Sequence, residues 1–383
     1  MNISKSKTNR AKKKALKKEM RRISDYSSEQ IKKYRQDNKR KNIPEEEYTT
    51  KMTDNGNVIE FDNVCTWFFT DIGVVHAVDG VSFDIPKGKT VGVVGESGCG
   101  KSVTSLSLMR LVQAPTGQIV SGAIRYNNGN RAVDIVKLPI SEMQKIRGNE
   151  IGMIFQEPMT SLNPVFTIGS QIDESIKLHN PEMDKIQIKK RTVEMLDLVC
   201  IARAEGIYKA YPHELSGGMR QRVMIAMTLA CNPNLIIADE PTTALDVTIQ
   251  AQILDLLREL KNKIDASIML ITHDLGVVAE MADYVVVMYA GRIIEKGTAE
   301  DIFLHPSHPY TIGLMGSKPV VGQEVKRLYS IPGNVPNPIN LSDKCYFYDR
   351  CDKRKDKCQT VYPPLYKISD SHYTACYLHQ DNN

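Results

Sequence analysis

The chain has 383 residues, of which 25% are charged and 42% are hydrophobic. This balance is typical of a globular protein with one large domain or two ordinary ones, and no apolar run approaches the ~20 residues of a membrane-spanning helix. The first residues are charged but lack the apolar stretch of a secretory signal, which predicts a cytosolic chain.

The net charge of +5 conceals a basic N-terminus. Residues 1–41 contain 16 Lys or Arg and 4 Asp or Glu, a local charge of +12, so the remaining chain carries −7. We interpret residues 1–56 as a basic, disordered extension. Weak contact with anionic lipid or with RNA remains an alternative. Because the segment contains no base-reading motif, we expect no specific nucleic-acid partner.

Folded structure is predicted to begin at about residue 57, with β-prone segments at 58–61 and 74–85. Three short apolar runs are typical of buried parallel strands: 90–94, 235–238 and 267–271. Helical patterns cover 103–111, 220–229 and 249–260, and residues 165–232 are rich in helix. The alternation predicts an α/β fold with a parallel sheet and crossover helices. After residue 300 a Pro-, Tyr- and Cys-rich appendage follows.

The segment Gly95–Ser102 reads GESGCGKS and satisfies the phosphate-loop pattern G-x-x-x-x-G-K-[ST]. Its glycines allow backbone N–H groups to turn toward phosphate oxygens, and the next helix directs its positive end to the same anion. Lys101 is expected to bridge the β- and γ-phosphates, and Ser102 to ligate Mg²⁺. The predicted nucleotide-binding residues here are Gly95, Glu96, Ser97, Gly98, Cys99, Gly100, Lys101 and Ser102.

Two adjacent acids, Asp239 and Glu240, end the apolar run at 235–238. Ligands bind at the carboxyl edge of parallel strands, so both carboxylates are expected beside the phosphate loop. Asp239 would hold Mg²⁺, and Glu240 would polarise an attacking water.

A second helix start with exposed N–H groups is predicted at Ser216-Gly217-Gly218, where Ser216 is a plausible N-cap. One nucleotide does not need two anion-binding helix ends. A head-to-tail dimer would use both, since each chain's serine-glycine turn would close the other chain's phosphate site.

These motifs resemble the nucleotide-binding domains of ABC transporters in order and spacing: Gly95–Ser102, Gln156, Leu215–Gln221, Leu235–Glu240, Ala244–Asp246 and His273. The resemblance covers about residues 57–300. It implies a P-loop NTPase core, an antiparallel β lobe at the start and a helical lobe around 165–232.

The same resemblance implies roles for single residues. Lys101, Gln156, Glu240 and His273 would be catalytic, with Glu240 as the base and His273 at the γ-phosphate. Gln156 would join Ser102 and Asp239 in ligating Mg²⁺ and would sense the transmembrane partner. Nucleotide contacts would also come from Ser216, Gly217, Gly218 and Asp246, with Ser216 and Gly218 acting in trans, and from Phe68, stacked on adenine.

The C-terminal part, residues 301–383, resembles the extension of oligopeptide and dipeptide permease ATPases, through His308–Thr311 and the cysteine-rich tail. Glu157–Pro164 and Met219–Val223 look like the D-type subunit of that family. The resemblance implies a heterodimer with a second, F-type ATPase on two membrane subunits, at the cytoplasmic face of the membrane. An external binding protein would supply peptide, although nickel permeases share these features.

Four cysteines, Cys345, Cys351, Cys358 and Cys376, crowd the tail with the spacing C-x₅-C-x₆-C-x₁₇-C. Four thiolates suit either an iron–sulfur cluster or tetrahedral zinc. The family resemblance favours a [4Fe–4S] cluster over zinc, and unligated thiols remain the third interpretation.

The leading functional hypothesis is an ATP-hydrolysing subunit that powers peptide import. The alternative is a soluble, non-transport ABC ATPase that acts on nucleic acid or ribosomes. An inactive scaffold is a third hypothesis, which the intact set of Lys101, Asp239, Glu240 and His273 argues against.

Overall fold

The computed structural model describes residues 2–37, 40, 43–156, 161–243, 246–317, 330–339 and 341–382. A five-stranded antiparallel sheet has the order β1-β6-β5-β2-β3. Its strands are β1 Thr49–Thr50, β2 Asn57–Thr70, β3 Gly73–Pro86, β5 Gly117–Asn127 and β6 Ala132–Asp134. On its inner face Phe61 and Phe83 stack with ring centroids 4.4 Å apart. This sheet corresponds to the antiparallel lobe that the sequence predicted.

The second sheet has eight strands in the order β12-β13-β11-β10-β4-β9-β8-β7. Its parallel strands are β4 Thr90–Val94, β7 Ile151–Ile154, β8 Leu235–Asp239, β9 Ser267–Ile271 and β10 Tyr284–Tyr289. Three antiparallel strands complete it: β11 Arg292–Thr298, β12 Tyr366–Lys367 and β13 Tyr373–Thr374. The predicted α/β class with a parallel sheet is confirmed.

Side chains that alternate along β8 and β9 enter two different cores. Leu235 and Ile237 pack in the cluster that contains the antiparallel sheet, whereas Ile236 and Ala238 pack in the cluster that contains the helices. Both faces of these strands are therefore buried, which explains their uninterrupted apolar sequences. The arrangement fixes the carboxyl end of β8 at the junction of the two clusters.

The helices flank the second sheet and extend beyond it. Those before residue 150 are Asn2–Asp37, Glu45–Tyr48, Lys101–Leu108 and Ile140–Ile146. Four follow in the segment predicted as the helical lobe: Ile168–His179, Lys185–Leu198, Ala204–Lys209 and Gly217–Leu229. Four further α-helices among the described residues are Val247–Ile264, Leu275–Met281, Ala299–Leu304 and Pro309–Gly316. Across the described ranges, no helix has the length and apolar character of a membrane span.

The N-terminal segment differs from the predicted disordered extension. Residues Asn2–Asp37 form a helix, and β1 pairs with β6 before the predicted boundary at residue 57. The helix is anchored on the β2–β3 hairpin, where Ser27 donates a 3.0 Å hydrogen bond to the carbonyl of Thr70. The ring of Tyr26 meets Phe69 edge-on at 6.0 Å. These tertiary contacts, rather than an apolar stripe, give the basic segment its place in the fold.

The C-terminal extension continues the second sheet instead of forming a separate body. β13 pairs with β11, and both belong to one hydrogen-bonded sheet. The fully buried carboxylate of Glu295 on β11 accepts hydrogen bonds from the backbone N–H groups of Ser307 and His308, at 2.6 and 3.0 Å. It also lies 2.8 Å from Nε2 of His372. A single buried anion thus joins three parts of the chain.

Candidate active site

The phosphate loop lies between the buried strand β4 and the helix Lys101–Leu108. Gly98 and Gly100 have φ values of 78° and 105°, in the left-handed region that glycine accepts without strain. A Cβ on Gly100 would lie 2.3 Å from the carbonyl oxygen of Ala77, so the neighbouring β3 backbone also requires glycine there. Ser97 and Gly98 form the exposed apex of the loop, while Cys99 is buried beneath it.

The ammonium group of Lys101 lies inside the loop, with its side chain largely buried. It donates hydrogen bonds to the carbonyl oxygens of Gly95 and Glu96, at 2.8 and 3.2 Å. Both acceptors are neutral carbonyls, so neither hydrogen bond offsets the positive charge of Lys101. The loop therefore presents one cation and a helix N-terminus to an anion.

Ser102 and Asp239 meet at the carboxyl end of β8, as the sequence predicted. The hydroxyl of Ser102 donates a 3.0 Å hydrogen bond to Oδ1 of Asp239. Burial raises the pKa of Asp239, and the Ser102 hydrogen bond opposes that shift. Hard oxygen donors beside the phosphate loop are the ligand type that Mg²⁺ selects, so this pair fits the predicted ion.

Gln156, Glu240 and His273 come together beside this pair, although they lie on three separate segments. Nε2 of Gln156 donates to one carboxylate oxygen of Glu240 at 3.1 Å, and Nδ1 of His273 lies 3.3 Å from the other. Glu240 has a φ of 48°, and its N–H donates to the carbonyl of Ile271 at the end of β9. A left-handed backbone at a residue other than glycine is strained, and such strain clusters at functional sites.

One contact of Glu240 was not expected from the sequence. Oγ1 of Thr243 donates a 2.8 Å hydrogen bond to the same carboxylate oxygen that Gln156 contacts. Buried Gln221 also donates a 2.6 Å hydrogen bond to the carbonyl of Pro241, which ties the helix Gly217–Leu229 to the turn after Glu240. The sequence signal for this contact was a threonine, Thr243, three residues after Glu240.

The serine-glycine turn begins its helix as predicted. Ser216 caps Gly217–Leu229, and its hydroxyl accepts a hydrogen bond from the N–H of Met219 at 3.3 Å. Ser216 and Gly217 are exposed, and a Cβ on Gly217 would meet open space. Asp246 caps the helix Val247–Ile264 through the N–H of Ile249. Residues 244 and 245 of the same motif lie outside the described residues, as do 157–160.

The aromatic residue Phe68 is half-buried on β2 and packs against Gly117, where an added Cβ would lie 2.7 Å from its ring. Its neighbour Trp67 stacks on His76, with ring centroids 4.1 Å apart and an angle of 2° between the planes. His76 precedes Ala77, whose carbonyl contacts the phosphate loop. Along β3, His76, which pairs with Trp67, is therefore one residue nearer to Ala77 than Val75, which pairs with Phe68.

The four cysteines of the tail line one cavity, together with His308 and Phe347. Burial, with smaller contributions from the neighbouring thiols, raises the pKa of Cys345 to about 12 and that of Cys376 to about 11. Four cysteines are a donor set that suits zinc or an iron–sulfur cluster. Within the part of the chain that the structure describes, however, no three His, Cys, Asp or Glu side chains form a group that could hold a metal ion.

The geometry therefore does not support the [4Fe–4S] prediction. The four cysteines line one cavity, but lining a cavity does not place their sulfur atoms at ligating distance from one metal centre. Zinc at the same thiols lacks support for the same reason.

Comparisons with known proteins agree with this geometry. Residues 78–243 match the ABC transporter family, and residues 294–358 match the C-terminal region of oligopeptide/dipeptide transporters. The oligopeptide transport ATP-binding protein AppD of Bacillus subtilis (strain 168) is 52% identical over 324 residues, which cover 85% of this chain and 97% of AppD. The dipeptide transport ATP-binding protein DppD of the same organism is 49% identical, over 84% of this chain and 94% of DppD.

The chain belongs to the ABC transporter family, in the group of oligopeptide and dipeptide transport ATP-binding proteins. The predicted family membership is thereby confirmed. Among solved structures, the post-hydrolysis dimer of the ATP-binding cassette MJ0796 with ADP and Pi matches with a TM-score of 0.56 and 26% identity. That match covers 63% of this chain and 98% of the cassette. The structure of cbiO1 from Clostridium perfringens matches with a TM-score of 0.55 and 25% identity.

Proposed function

We propose that this chain binds and hydrolyses ATP to power an ABC importer for oligopeptides or dipeptides. The observation that carries the proposal is the group formed by Gln156, Glu240 and His273 beside the Ser102–Asp239 pair. It combines a base, two groups that orient it and a cation site next to a phosphate loop. The names of AppD and DppD supply the peptide substrate class.

The chemistry follows from positioning and charge neutralisation. Lys101 turns from its loop carbonyls to the β- and γ-phosphates when nucleotide enters. Glu240 accepts a proton from the attacking water, while Gln156 and His273 fix the orientation of its carboxylate. Ser102, Asp239 and Gln156 would hold Mg²⁺, which would supply positive charge at the phosphate oxygens.

The functional unit in this proposal is a head-to-tail pair of ATPases. Ser216 and Gly217, which are exposed, and the adjacent Gly218 complete the phosphate site of a partner, and Asp246 lies at the same interface. The partner is a second, F-type subunit, and two membrane subunits receive the motion at the cytoplasmic face of the membrane. The dimeric MJ0796 cassette with ADP and Pi supports a paired arrangement of this fold.

Purification of the tagged chain from membranes in mild detergent tests this assembly. Two multi-span subunits and a second ATPase are expected to co-purify, and peptide uptake is expected to require ATP hydrolysis by the complex. Recovery with ribosomes or nucleic acid, and without a membrane partner, would instead favour the soluble ABC ATPase. No described contact favours that second function.

Adenine recognition completes the nucleotide site. Phe68 was predicted to stack on adenine, and it stays a candidate with one half-exposed face. ATP titrations of the wild type and of Phe68→Ala test this residue, and quenching of the single tryptophan, Trp67, by ATP would instead indicate adenine next to Trp67. Loss of ATP affinity in Phe68→Ala supports the predicted residue.

The four thiols of the tail remain candidates for a [4Fe–4S] cluster, with zinc as the second possibility. The proposal is motivated by the shared cavity of Cys345, Cys351, Cys358 and Cys376, although these thiols form no metal-holding group in the described residues. Anaerobic purification followed by measurement of iron, acid-labile sulfide and zinc per chain distinguishes the two metals from free thiols. A metal-free chain with four alkylatable thiols would contradict both.

The basic N-terminal helix is proposed to make weak contact with anionic lipid headgroups. Residues 17–36 retain several exposed cations, among them Lys17, Lys18 and Arg21, while Tyr26 and Ser27 face the fold. Co-sedimentation with vesicles that contain anionic lipid, compared with neutral vesicles, tests this contact. Binding that does not change with salt would contradict it.

A further inference from the structure

The phosphate loop carries a side chain that the reaction described above does not use. Glu96, the second residue of the loop, is 27% exposed and points to the C-terminal extension. There Arg350 binds it through both carboxylate oxygens, with Nη1 to Oε2 at 2.9 Å and Nη2 to Oε1 at 3.1 Å. A two-point guanidinium–carboxylate pair fixes orientation as well as distance.

Arg350 is itself held firmly. Its side chain is only 6% exposed, and Nε donates a 3.0 Å hydrogen bond to the carbonyl of Pro332. Nη1 also approaches the hydroxyl of Tyr289 at 3.3 Å, and the guanidinium lies over the rings of Tyr289 and Phe347. A buried cation with fixed partners is a rigid support rather than a mobile surface charge.

The extension holds Glu96 at its backbone as well. The N–H of Glu96 donates a 2.9 Å hydrogen bond to the hydroxyl of Tyr310, a fully buried residue on the helix Pro309–Gly316. On the other side, the carbonyl of Glu96 accepts from Lys101. The extension therefore holds Glu96 through both its side chain and its N–H, and the carbonyl of the same residue accepts a hydrogen bond from Lys101.

Arg350 occupies a turn of the cysteine-rich tail. It ends the short 3-10 helix Tyr348–Arg350, which lies between Cys345 and Cys351. Backbone hydrogen bonds from Tyr348 to Cys345, and from Arg350 to Phe347, both at 3.0 Å, define this turn. This hydrogen-bonded turn thus fixes the backbone position from which the Arg350 side chain reaches the phosphate loop.

We propose that Arg350 is a positioning residue of the ATPase, through which the C-terminal extension holds the phosphate loop ready for nucleotide by neutralising and clamping Glu96. The inference rests on the proposed ATPase function. Two effects act in the same direction. The clamp reduces the conformational entropy that the phosphate loop loses when ATP binds. The pairing with Arg350 also prevents the Glu96 carboxylate from repelling the nucleotide phosphates.

Titration of the full chain with a fluorescent ATP analogue tests this role. Arg350→Ala is expected to raise the Kd for ATP about tenfold, because it removes the clamp and leaves a negative charge beside the phosphates. Arg354→Ala is the matched control: Arg354 is an exposed arginine of the same tail that lies over Tyr348. It is expected to bind ATP like the wild type.

Charge compensation separates this role from a general loss of structure. Glu96→Gln weakens the clamp but also removes the repelling charge, so its Kd is expected to lie between those of the wild type and Arg350→Ala. In the Arg350→Ala background, Glu96→Gln is expected to restore part of the lost affinity. Steady-state ATPase assays are expected to show a raised KM with little change in kcat, since Arg350 does not touch the reacting atoms.

Three results would overturn the inference: wild-type ATP affinity in Arg350→Ala, no recovery in the double variant, or a loss confined to kcat. If Arg350→Ala does not fold, as judged by circular dichroism, Arg350→Lys replaces it. Lysine keeps the charge but loses the two-point geometry, so an intermediate Kd is expected, and an unchanged one counts against the clamp. A wild-type chain that does not bind ATP would overturn the proposed function as well, whereas an unchanged Arg350→Ala would leave that function intact.

Discussion

The hydroxyl of Ser102 donates a hydrogen bond to the carboxylate of Asp239, although 137 positions separate the two residues. Parallel pairing of β4 with β9, and of β9 with β8, aligns the ends of these strands and brings the two oxygens together. The fold thus places the two oxygens of the proposed cation site next to each other.

The first prediction concerns this pair. Asp239→Asn is expected to reduce the stimulation of ATP binding by Mg²⁺ about tenfold or more, because the amide keeps the shape of the side chain but loses its charge. ATP titrations with Mg²⁺ and with a chelator measure the effect. Asp255→Asn, at an exposed acid that pairs with Arg258, is the control. Equal Mg²⁺ stimulation in wild type and Asp239→Asn would exclude Asp239 as a ligand.

The second prediction concerns the general base. Glu240→Gln is expected to bind ATP normally but to release phosphate roughly 10²–10⁴ times more slowly, because the amide cannot accept the proton. Glu280→Gln removes a carboxylate from a surface pair and serves as the control. Unchanged hydrolysis in Glu240→Gln would refute the role of this carboxylate.

The third prediction tests the phosphate loop. Lys101→Ala is expected to weaken ATP binding about tenfold or more, since the cation that faces the phosphates disappears. Its neutral hydrogen-bond acceptors, the carbonyls of Gly95 and Glu96, predict little cost to folding. Equilibrium ATP titration and thermal unfolding measure the two effects separately. Lys89→Ala, which removes a half-exposed lysine paired with Asp283, should leave ATP affinity intact.

The fourth prediction concerns action in trans. Ser216→Arg is expected to leave ATP binding to the isolated chain unchanged, because Ser216 is exposed. In the assembled complex, the bulky cation is expected to block closure of the paired site and abolish most ATP hydrolysis. Loss of ATP affinity already in the isolated chain would show that Ser216 serves its own chain's nucleotide.

The fifth prediction is a pH dependence of stability that arises from His308. Burial lowers the pKa of His308 to about 4, and its Nδ1 caps a helix by accepting from the N–H of Tyr310. The unfolded state binds the proton near pH 6.5, so it holds more protons than the folded state between about pH 4 and 6.5. Stability should therefore fall as the pH drops through this window, by up to about 1.4 kcal/mol per pH unit from this group.

The variant His308→Asn isolates that contribution, because asparagine caps a helix without titrating. Urea unfolding at several pH values is expected to show a shallower slope for the variant than for the wild type. Glu295, His372 and His379 lie nearby and are present in both proteins, so their contributions cancel in the comparison. Parallel slopes would assign the acid sensitivity to another group.

The sequence predicted those parts of the site in which local pattern fixes position. The end of an apolar strand delivers Asp239 and Glu240, and a glycine-rich turn places Lys101, wherever the rest of the chain lies. Contacts that depend on distant segments were beyond its reach. Arg350 lies 254 positions from Glu96, and nothing in its own segment signals a partner.

The basic segment illustrates a second limit. Its composition predicted disorder, because a helix with so little apolar surface gains little from burial. The structure anchors it through Tyr26 and Ser27 on the β2–β3 hairpin, and such a short contact leaves no periodic trace in the sequence. The four tail cysteines show the opposite limit. The sequence predicted that they lie together, but the structure does not support their ligation of one metal centre.

The pairing of β13 with β11 has a consequence for how the protein can be shortened. A chain cut at residue 300 would end after β11 and lose the strand that pairs with it, including the N–H of Ala375 that donates to the carbonyl of Ile294. Unpaired edges of this kind recruit strands from other molecules. Truncation at residue 300, between the ABC domain and the C-terminal extension, is therefore expected to yield an aggregating protein instead of a minimal ATPase.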